Sequence, residues 1–185
     1  MARRILLGAL ALVLAATTAV SASTFVAISQ DELVRQADAV VQGRIAKVSQ
    51  FWNAEGTMIY TEAVVEVQER LVGDTAGIIV LRTFGGTVGS YTVEAHGFPE
   101  FRQGERTIVF LKALEDGAYE VLGYRQGQFR VMRDSTGKAL AIPMVEDGVA
   151  YLDAQGRGLA RKIQPLDTFK AQLRDSARAA GRLAQ

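Results

Sequence analysis

The spacing of hydrophobic and polar positions changes twice along this chain of 185 residues. A helical pattern comes first, at about residues 30–37, where Ser29 and Glu32 have the S-x-x-E spacing of a capping box. A two-residue alternation follows for roughly a hundred residues, as in half-buried β-strands. Helical spacing returns from Pro165. We therefore predict a mainly β fold with a short N-terminal helix and a C-terminal amphipathic helix.

The first predicted strand, "ADAVVQGRIAKVSQFW", does not keep a single alternation. Val41, Gly43 and Ile45 share one face, whereas Val48 falls on the other. One extra residue near positions 46–47 would restore the phase, which predicts a β-bulge. Gly43 in mid-strand predicts a sharp bend or a close backbone approach. A long, bent and bulged first strand favours a small closed barrel.

Later segments alternate in the same way and are separated by turn sequences. Residues 59–67 have one apolar and one polar face, and "RTIVFLKAL" reads as a central strand. The other predicted strands are "GIIVLRTF", "SYTVEA", "AYEVLGY", "GQFRVMRD" and two short ones at residues 138–142 and 149–152. We predict a closed or nearly closed antiparallel barrel over about residues 38–131. An open two-layer sandwich is the alternative, because strand count alone does not establish closure.

The N-terminal segment predicts export. Arg3 and Arg4 precede an apolar stretch at residues 5–20, and small residues follow at the expected cleavage site. We interpret residues 1–22 as a signal peptide cleaved after Ala22 or Ser23. A transmembrane anchor is the alternative, although the apolar run is short for about 20 spanning residues. We expect a secreted or periplasmic protein, and without cysteine it has neither a lipoprotein anchor nor disulfides.

The remaining length suits one domain, which we divide into a β-barrel at residues 23–156 and a basic helical extension at residues 157–185 packed on the same domain. Loss of the two N-terminal arginines leaves 19 basic against 20 acidic residues, and this balance does not indicate nucleic acid as a partner. From Arg157 onward, however, seven basic residues face two acidic ones. That helix could contact an anionic surface, and a membrane would then be a peripheral partner at most. It could instead pack through its apolar stripe and leave its basic face solvated.

The stretch "HGFPEFRQGE", residues 96–105, contains the only histidine. A hydrolase would need Ser90, His96 and a carboxylate to meet in the fold, and no G-x-S-x-G motif is present. One histidine with scattered carboxylates is also a poor metal site, so we expect neither metal nor cofactor. The alternative is a corner that leads into the central strand, with Phe98 and Phe101 buried and His96 at least partly exposed.

Aromatic residues at predicted strand ends are the candidate recognition surface. They could bind a partner or could close the open end of the barrel. The set comprises Phe51, Trp52, Tyr91, Phe98 and Phe101. Our candidate partner-binding residues are Phe51, Trp52, Tyr91, His96 and Phe98.

The order of these segments resembles a widespread group of uncharacterised exported bacterial domains over about residues 25–133. More distantly, residues 37–45, 65–73 and 101–111 are similar to the motifs "aDxVxxGxV", "V…VxxxxKG" and "FxxGxxxlxFL" of tissue inhibitors of metalloproteinases and netrin-like modules. The resemblance implies an OB-like (oligonucleotide/oligosaccharide-binding) barrel, as in those inhibitors, and an exported protein that binds other proteins. Those inhibitors chelate the protease zinc through an N-terminal cysteine, which this chain lacks, so no inhibitory residue carries over.

We therefore expect an exported non-enzymatic barrel that binds another protein, such as an extracellular protease, or a cell-surface component. A small secreted hydrolase using Ser90 and His96, or an envelope-associated structural protein, are the alternatives.

Overall fold

The computed structural model describes residues 23–144, 149–158 and 161–182. The predicted signal peptide, residues 1–22, lies outside the described residues. Within the described ranges, neither helix is both long enough and apolar enough to cross a membrane.

The described chain is mainly β, with two α-helices and one 3-10 helix. The helices are α1 (Gln30–Gln36) and α2 (Leu166–Ala179), and the 3-10 helix spans Tyr124–Gly127. The strands are β1 (Ser23–Val26), β2 (Ala39–Trp52), β3 (Ile59–Val72), β4 (Ile78–Phe84), β5 (Gly86–Val88), β6 (Tyr91–Val93), β7 (Arg106–Ala113), β8 (Tyr119–Val121), β9 (Gln128–Arg133), β10 (Ala139–Pro143), β11 (Val149–Leu152) and β12 (Gln164–Pro165).

Five strands form a closed barrel in the order β7-β2-β3-β4-β8, and β8 pairs back onto β7. The first long strand, β2, pairs with both β3 and β7, and β8 joins β4 to β7, so the ring is closed and an open sandwich is excluded. We predicted an antiparallel barrel, and in this respect the prediction is wrong for one pair of strands. β4 and β8 run parallel and share the bridge Leu81↔Tyr119. The closed ring ends at Val121 and not at residue 131, because β9 pairs with β7 outside the ring and continues to β10 and β12.

The irregularities predicted for β2 are present. Its register against β3 shifts between Ile45 and Lys47, which is the predicted bulge. A β-carbon at Gly43 would lie 2.5 Å from Val65 Cγ1 and 2.7 Å from the carbonyl oxygen of Glu66, which is the predicted close approach. The bulge keeps Val48 packed against the same core as Val41 and Ile45.

Two hydrophobic clusters lie on opposite sides of the β2 and β7 strands. One fills the barrel and includes Val41, Leu81 and Val109, whereas the other lies outside it and includes Val40 and Phe110. Both helices pack into the outer cluster. The apolar stripe predicted for α2 is buried along its whole length, at Leu166, Phe169, Leu173 and Ala177.

Two small sheets were not predicted. β1 pairs in parallel with β11, which joins the beginning of the described chain to a segment more than a hundred residues away. After β4 the chain passes through Gly85 and Gly86, which have positive φ angles, directly into the β5-β6 hairpin. Phe25 of β1 packs against Tyr124, and Thr87 of β5 and Thr92 of β6 line a cavity together with Phe98.

Candidate functional site

A row of aromatic rings crosses one end of the barrel on its outer face. Phe51, Tyr60 and Phe84 are direct cross-strand neighbours on β2, β3 and β4. Their rings face outward because the adjacent residues Ile59 and Thr61 are buried inside. Successive ring centroids in the series Phe51, Tyr60, Phe84, Phe98, Tyr124 lie 6.4, 6.0, 5.9 and 4.8 Å apart. We call these five residues the aromatic row.

The aromatic row lines a groove of about 950 Å³. One wall is formed by residues 82–84 of β4 and the opposite wall by residues 120, 121, 123 and 124, which include the end of β8. The groove exists because β4 and β8 are joined only at Leu81↔Tyr119 and do not pair beyond that bridge. Asn53 and Met58, from the β2-β3 loop, and Leu114, from the β7-β8 loop, complete the lining.

Tyr124 holds its ring across this opening in an unusual backbone conformation. Its φ angle is 59°, the one positive value at a non-glycine residue in the described chain, and it follows Gly123 at 70°. The left-handed region is unfavourable for a residue with a β-carbon and occurs often at binding and catalytic sites. The Tyr124 ring packs edge-on against Phe98 on one side and Phe25 on the other, while 43% of the residue remains exposed.

Acidic residues surround the groove. Arg82, in its wall, donates to Glu62 at 2.9 and 2.7 Å and to Asp116 at 2.5 Å, so its charge is already neutralised. The hydrogen bond from Arg82 Nη1 to Asp116 is the main cause that holds the pKa of the Asp116 carboxyl below its usual value. Three further carboxylates lie at the rim: Glu55, which accepts from the lining residue Asn53; Glu115, next to Leu114; and Glu120, in the wall.

A second, polar cavity of about 450 Å³ lies behind the groove, and Thr83, Phe84, Phe98 and Pro99 line both. Thr83 is only 8% exposed, and its hydroxyl oxygen has no hydrogen-bond partner among the described residues. Glu100 in this cavity accepts from Arg125 Nη2 at 2.5 Å. Arg125 also donates to the Phe98 carbonyl at 2.7 Å, which fixes the segment between the two cavities.

The five candidate partner-binding residues do not form a single surface. Phe51 and Phe98 belong to the aromatic row, whereas Trp52 and Tyr91 form a separate pair at 5.6 Å that does not line the groove. Phe51 and Trp52 separate because consecutive residues of a strand point to opposite faces. His96 lines the polar cavity.

Three rings of the row, Tyr60, Phe84 and Tyr124, were missed by the sequence analysis. Tyr60 was assigned to a solvated face, and an aromatic residue at an outward position was the signal that could have identified it. Phe84 ends the predicted strand "GIIVLRTF", and nothing in that segment alone indicates that its ring stays half-exposed. Tyr124 contributes only because of its backbone conformation, which tertiary contacts determine.

The "HGFPEFRQGE" stretch has the burial expected of a corner, with one difference. Phe101 is buried in the barrel cluster and His96 is exposed, whereas Phe98 is half-buried because its ring continues the aromatic row. Ser90 lies in the turn of the β5-β6 hairpin and is not among the residues that line the cavity beside His96.

The basic side chains of α2 contact the protein itself. Lys170 donates to Glu69 at 2.5 Å, and Arg174 donates to the same carboxylate. Arg178 pairs with Asp175 on its own helix. Beyond the helix, Arg182 donates to the carbonyl oxygens of Val34 and Arg35. These contacts favour the interpretation of α2 as a packed part of the fold with a partly neutralised basic face.

In the described ranges, histidine, aspartate and glutamate do not gather in any group of three that could hold a metal ion. Neither a scan against protein-family models nor a search of curated proteins found a match to this chain. The groove, with its aromatic row and acidic rim, is therefore the basis of the functional proposal.

Proposed function

We propose that this protein is an exported, non-enzymatic binding module that holds another protein in the aromatic groove. The observation that carries the proposal is the aromatic row itself, which leaves five rings half-buried or exposed along one open depression. Aromatic side chains supply large, rigid contact areas and dominate the energetics of protein interfaces. An exposed apolar groove with a polar rim is typical of an interaction site.

The charge around the groove favours a protein partner over nucleic acid. Among the described residues, five carboxylates and one guanidinium, itself paired, surround the opening, and the nearby Lys112 is paired with Asp38. The excess negative charge would repel a phosphate backbone. An extracellular protease or a cell-surface component is the kind of partner that an exported module would meet. Export is inferred from the signal-peptide pattern of residues 1–22.

The topology supports assignment of the barrel as OB-like. Numbered 1 to 5 in chain order, the barrel strands β2, β3, β4, β7 and β8 follow the ring order 1-2-3-5-4, with a parallel pair between strands 3 and 5. The groove lies against strands 2 and 3 and the 1-2 and 4-5 loops, the region that binds ligands in OB-folds. Protease inhibition is not part of the proposal, because the chain has no cysteine to chelate zinc.

A capture experiment tests the proposed function. Immobilised protein of residues 23–185 is incubated with extracellular and envelope proteins of the source organism, and the parent is compared with two single variants. Tyr124→Ala removes a ring of the aromatic row, and Tyr91→Ala removes an exposed tyrosine outside the groove. We expect Tyr124→Ala to reduce capture of a specific protein at least about tenfold, as for an interface hot spot, and Tyr91→Ala to leave it unchanged.

Equal losses in both variants, or no loss in either, would contradict the assignment of the groove. Thermal unfolding of each variant serves as the control for folding. The hydrolase alternative has its own test, because activity in a broad hydrolase screen that His96→Ala abolishes would overturn the non-enzymatic proposal.

A further inference from the structure

We propose that the groove binds an extended, positively charged polypeptide segment, which adds as a strand along the edge of β4. This proposal rests on the function proposed above and specifies the form and charge of the partner. Three independent features of the groove carry it: an unused strand edge, a buried hydroxyl without a partner, and an acidic rim.

The strand edge follows from the pairing of β4. The N–H of Gly85 donates to the carbonyl of Ile59, so Gly85 and, by alternation, Thr83 direct their backbone groups toward β3. Arg82 and Phe84 therefore direct theirs to the opposite edge. That edge pairs with β8 only at Leu81↔Tyr119, and the described strands do not continue the ladder past it. In a parallel bridge of this phase the Arg82 N–H is already paired with Tyr119, so the groups left at this edge are the Arg82 carbonyl and the N–H and carbonyl of Phe84. Unpaired strand edges of this kind accept added strands.

Thr83 lies on β4 beside this strand edge and lines the groove. Its hydroxyl is buried and lacks a partner within the described chain, and the residue lines both cavities. Thr61, directly opposite on β3, is also buried but donates to the carbonyl of Gly85 at 2.7 Å. Buried hydroxyl groups are normally hydrogen-bonded, so Thr83 is suited to a polar group that enters from the groove.

The aromatic row determines which side chains suit the added strand. Alternate side chains of an extended segment point to one face, so every second residue would contact Tyr60, Phe84 or Tyr124. β-Branched and aromatic side chains pack best against such rings. The partner segment is therefore expected to have apolar residues at alternate positions.

The charge at the rim of the groove determines which residues are favoured at the two ends of the bound segment. Glu115 and Glu120 are exposed at the β7-β8 end of the groove, and Glu55 is exposed at the β2-β3 loop. Lys112, cross-strand from Glu120, already donates to Asp38 at 3.0 Å, and Arg82 is paired with Glu62 and Asp116. The excess negative charge favours lysine or arginine at the two ends of the bound segment.

Three synthetic peptides test these features. The first has a Val-Phe-Val centre between threonines, with lysine at both ends. The second replaces the lysines with glutamates, and the third repeats the first with N-methyl groups on the two valines. We expect the first peptide to bind at least about tenfold more tightly than either of the others, because like charges repel and N-methylation removes strand hydrogen bonds. Binding of the first should also slow amide exchange at Phe84 and leave exchange at Tyr91 unchanged.

Variants of the groove provide matched controls. The double variant Glu115→Gln/Glu120→Gln should lose most of the preference for lysine flanks, whereas Asp175→Asn, an exposed change on α2, should retain it. Thr83→Val should weaken binding of the first peptide roughly threefold to tenfold without lowering stability, because the hydroxyl has no partner to lose in the free protein.

Equal binding of the three peptides, or no binding of any at millimolar concentration, would overturn strand addition. Either result could coexist with capture of a protein that depends on Tyr124. The binding function would then stand, and only the inferred form of the partner would be wrong.

Discussion

Single residues support the barrel in ways that burial alone does not reveal. Gly43 allows β2 and β3 to approach more closely than a side chain would permit, at a point where their register also shifts. Gly77, in contrast, has open space around it and an ordinary φ angle. The two glycines therefore differ in what an added methyl group would meet.

Substitution of these two glycines by alanine should have different effects on stability. Gly43→Ala places its β-carbon 2.7 Å from the carbonyl oxygen of Glu66, and we expect it to lower the free energy of unfolding by about 1–3 kcal/mol. Gly77→Ala should be neutral or should stabilise by up to about 1 kcal/mol, because it restricts the unfolded chain. Denaturant melts measure both values. A Gly43→Ala protein as stable as the parent would show that the strands can move apart at no cost.

Two residues of the 96–105 corner should also differ. Phe101 is 8% exposed and packs in the barrel cluster, so Phe101→Ala should cost about 3–5 kcal/mol. His96 is exposed, and His96→Ala should cost about 0.5 kcal/mol or less. The same denaturant melts compare the two variants. If His96→Ala proved the less stable protein, the corner interpretation would be wrong.

At the level of elements, Asp38 joins the beginning of β2 to the end of β7. Its carboxylate accepts from the N–H of Ala113 at 2.8 Å and from Lys112 at 3.0 Å, and its own N–H donates to Leu111 at 2.7 Å. The Ala113 N–H is the main cause that lowers the pKa of the Asp38 carboxyl, with smaller contributions from Lys112 and Arg182. The side chain is 41% exposed, so solvent weakens the effect.

The lowered pKa predicts a pH-dependent contribution to stability. Because the folded pKa lies below the ordinary value of 3.8, the carboxylate stabilises the fold above that pH. The contribution is lost as the pH falls through the folded pKa. We expect Asp38→Asn to be about 0.5–1 kcal/mol less stable than the parent at pH 7, with a smaller difference at pH 3. Urea melts at both pH values measure this, and a difference that grows on acidification would contradict the prediction.

The whole molecule combines one closed barrel with smaller pairings that depend on it. β2, β3 and β7 pair on both edges and bury side chains in two hydrophobic clusters. The β1-β11 sheet has only four residue pairs, and β5-β6 has three. Short two-stranded sheets are marginally stable on their own, so their stability comes from packing on the barrel.

This arrangement predicts a ranking of amide hydrogen exchange in the native state. Amides in β2, β3 and β7 should exchange only through global unfolding, whereas those in β1 and β11 should exchange through local opening at a lower free energy. The N–H of Ala27, which donates to the carbonyl of Leu152 in β11 at 2.8 Å, is the position to compare with Val41 in β2. Equal protection across both sets would mean that the small sheet and the barrel unfold as one unit.

The sequence by itself determined the features that depend on near neighbours. The bulge between Ile45 and Lys47, the helix start at Ser29 and the apolar stripe of α2 each follow from spacing within a few residues. The alternation that predicted the barrel strands is local in the same sense, because successive side chains of a strand point to opposite faces. These patterns do not depend on which strands pair with one another.

Only the tertiary structure decided which segments meet. The parallel closure at Leu81↔Tyr119 and the β1-β11 sheet join segments far apart in sequence, and nothing in their own periodicity selects those partners. The aromatic row illustrates the consequence. Phe51 and Trp52 were both predicted at a strand end, but only Phe51 belongs to the row and Trp52 faces away from it. Tyr124 completes the row in a left-handed backbone conformation. Spatial proximity across a closed barrel depends on ring order and register together, and those depend on long-range pairings that local spacing does not encode.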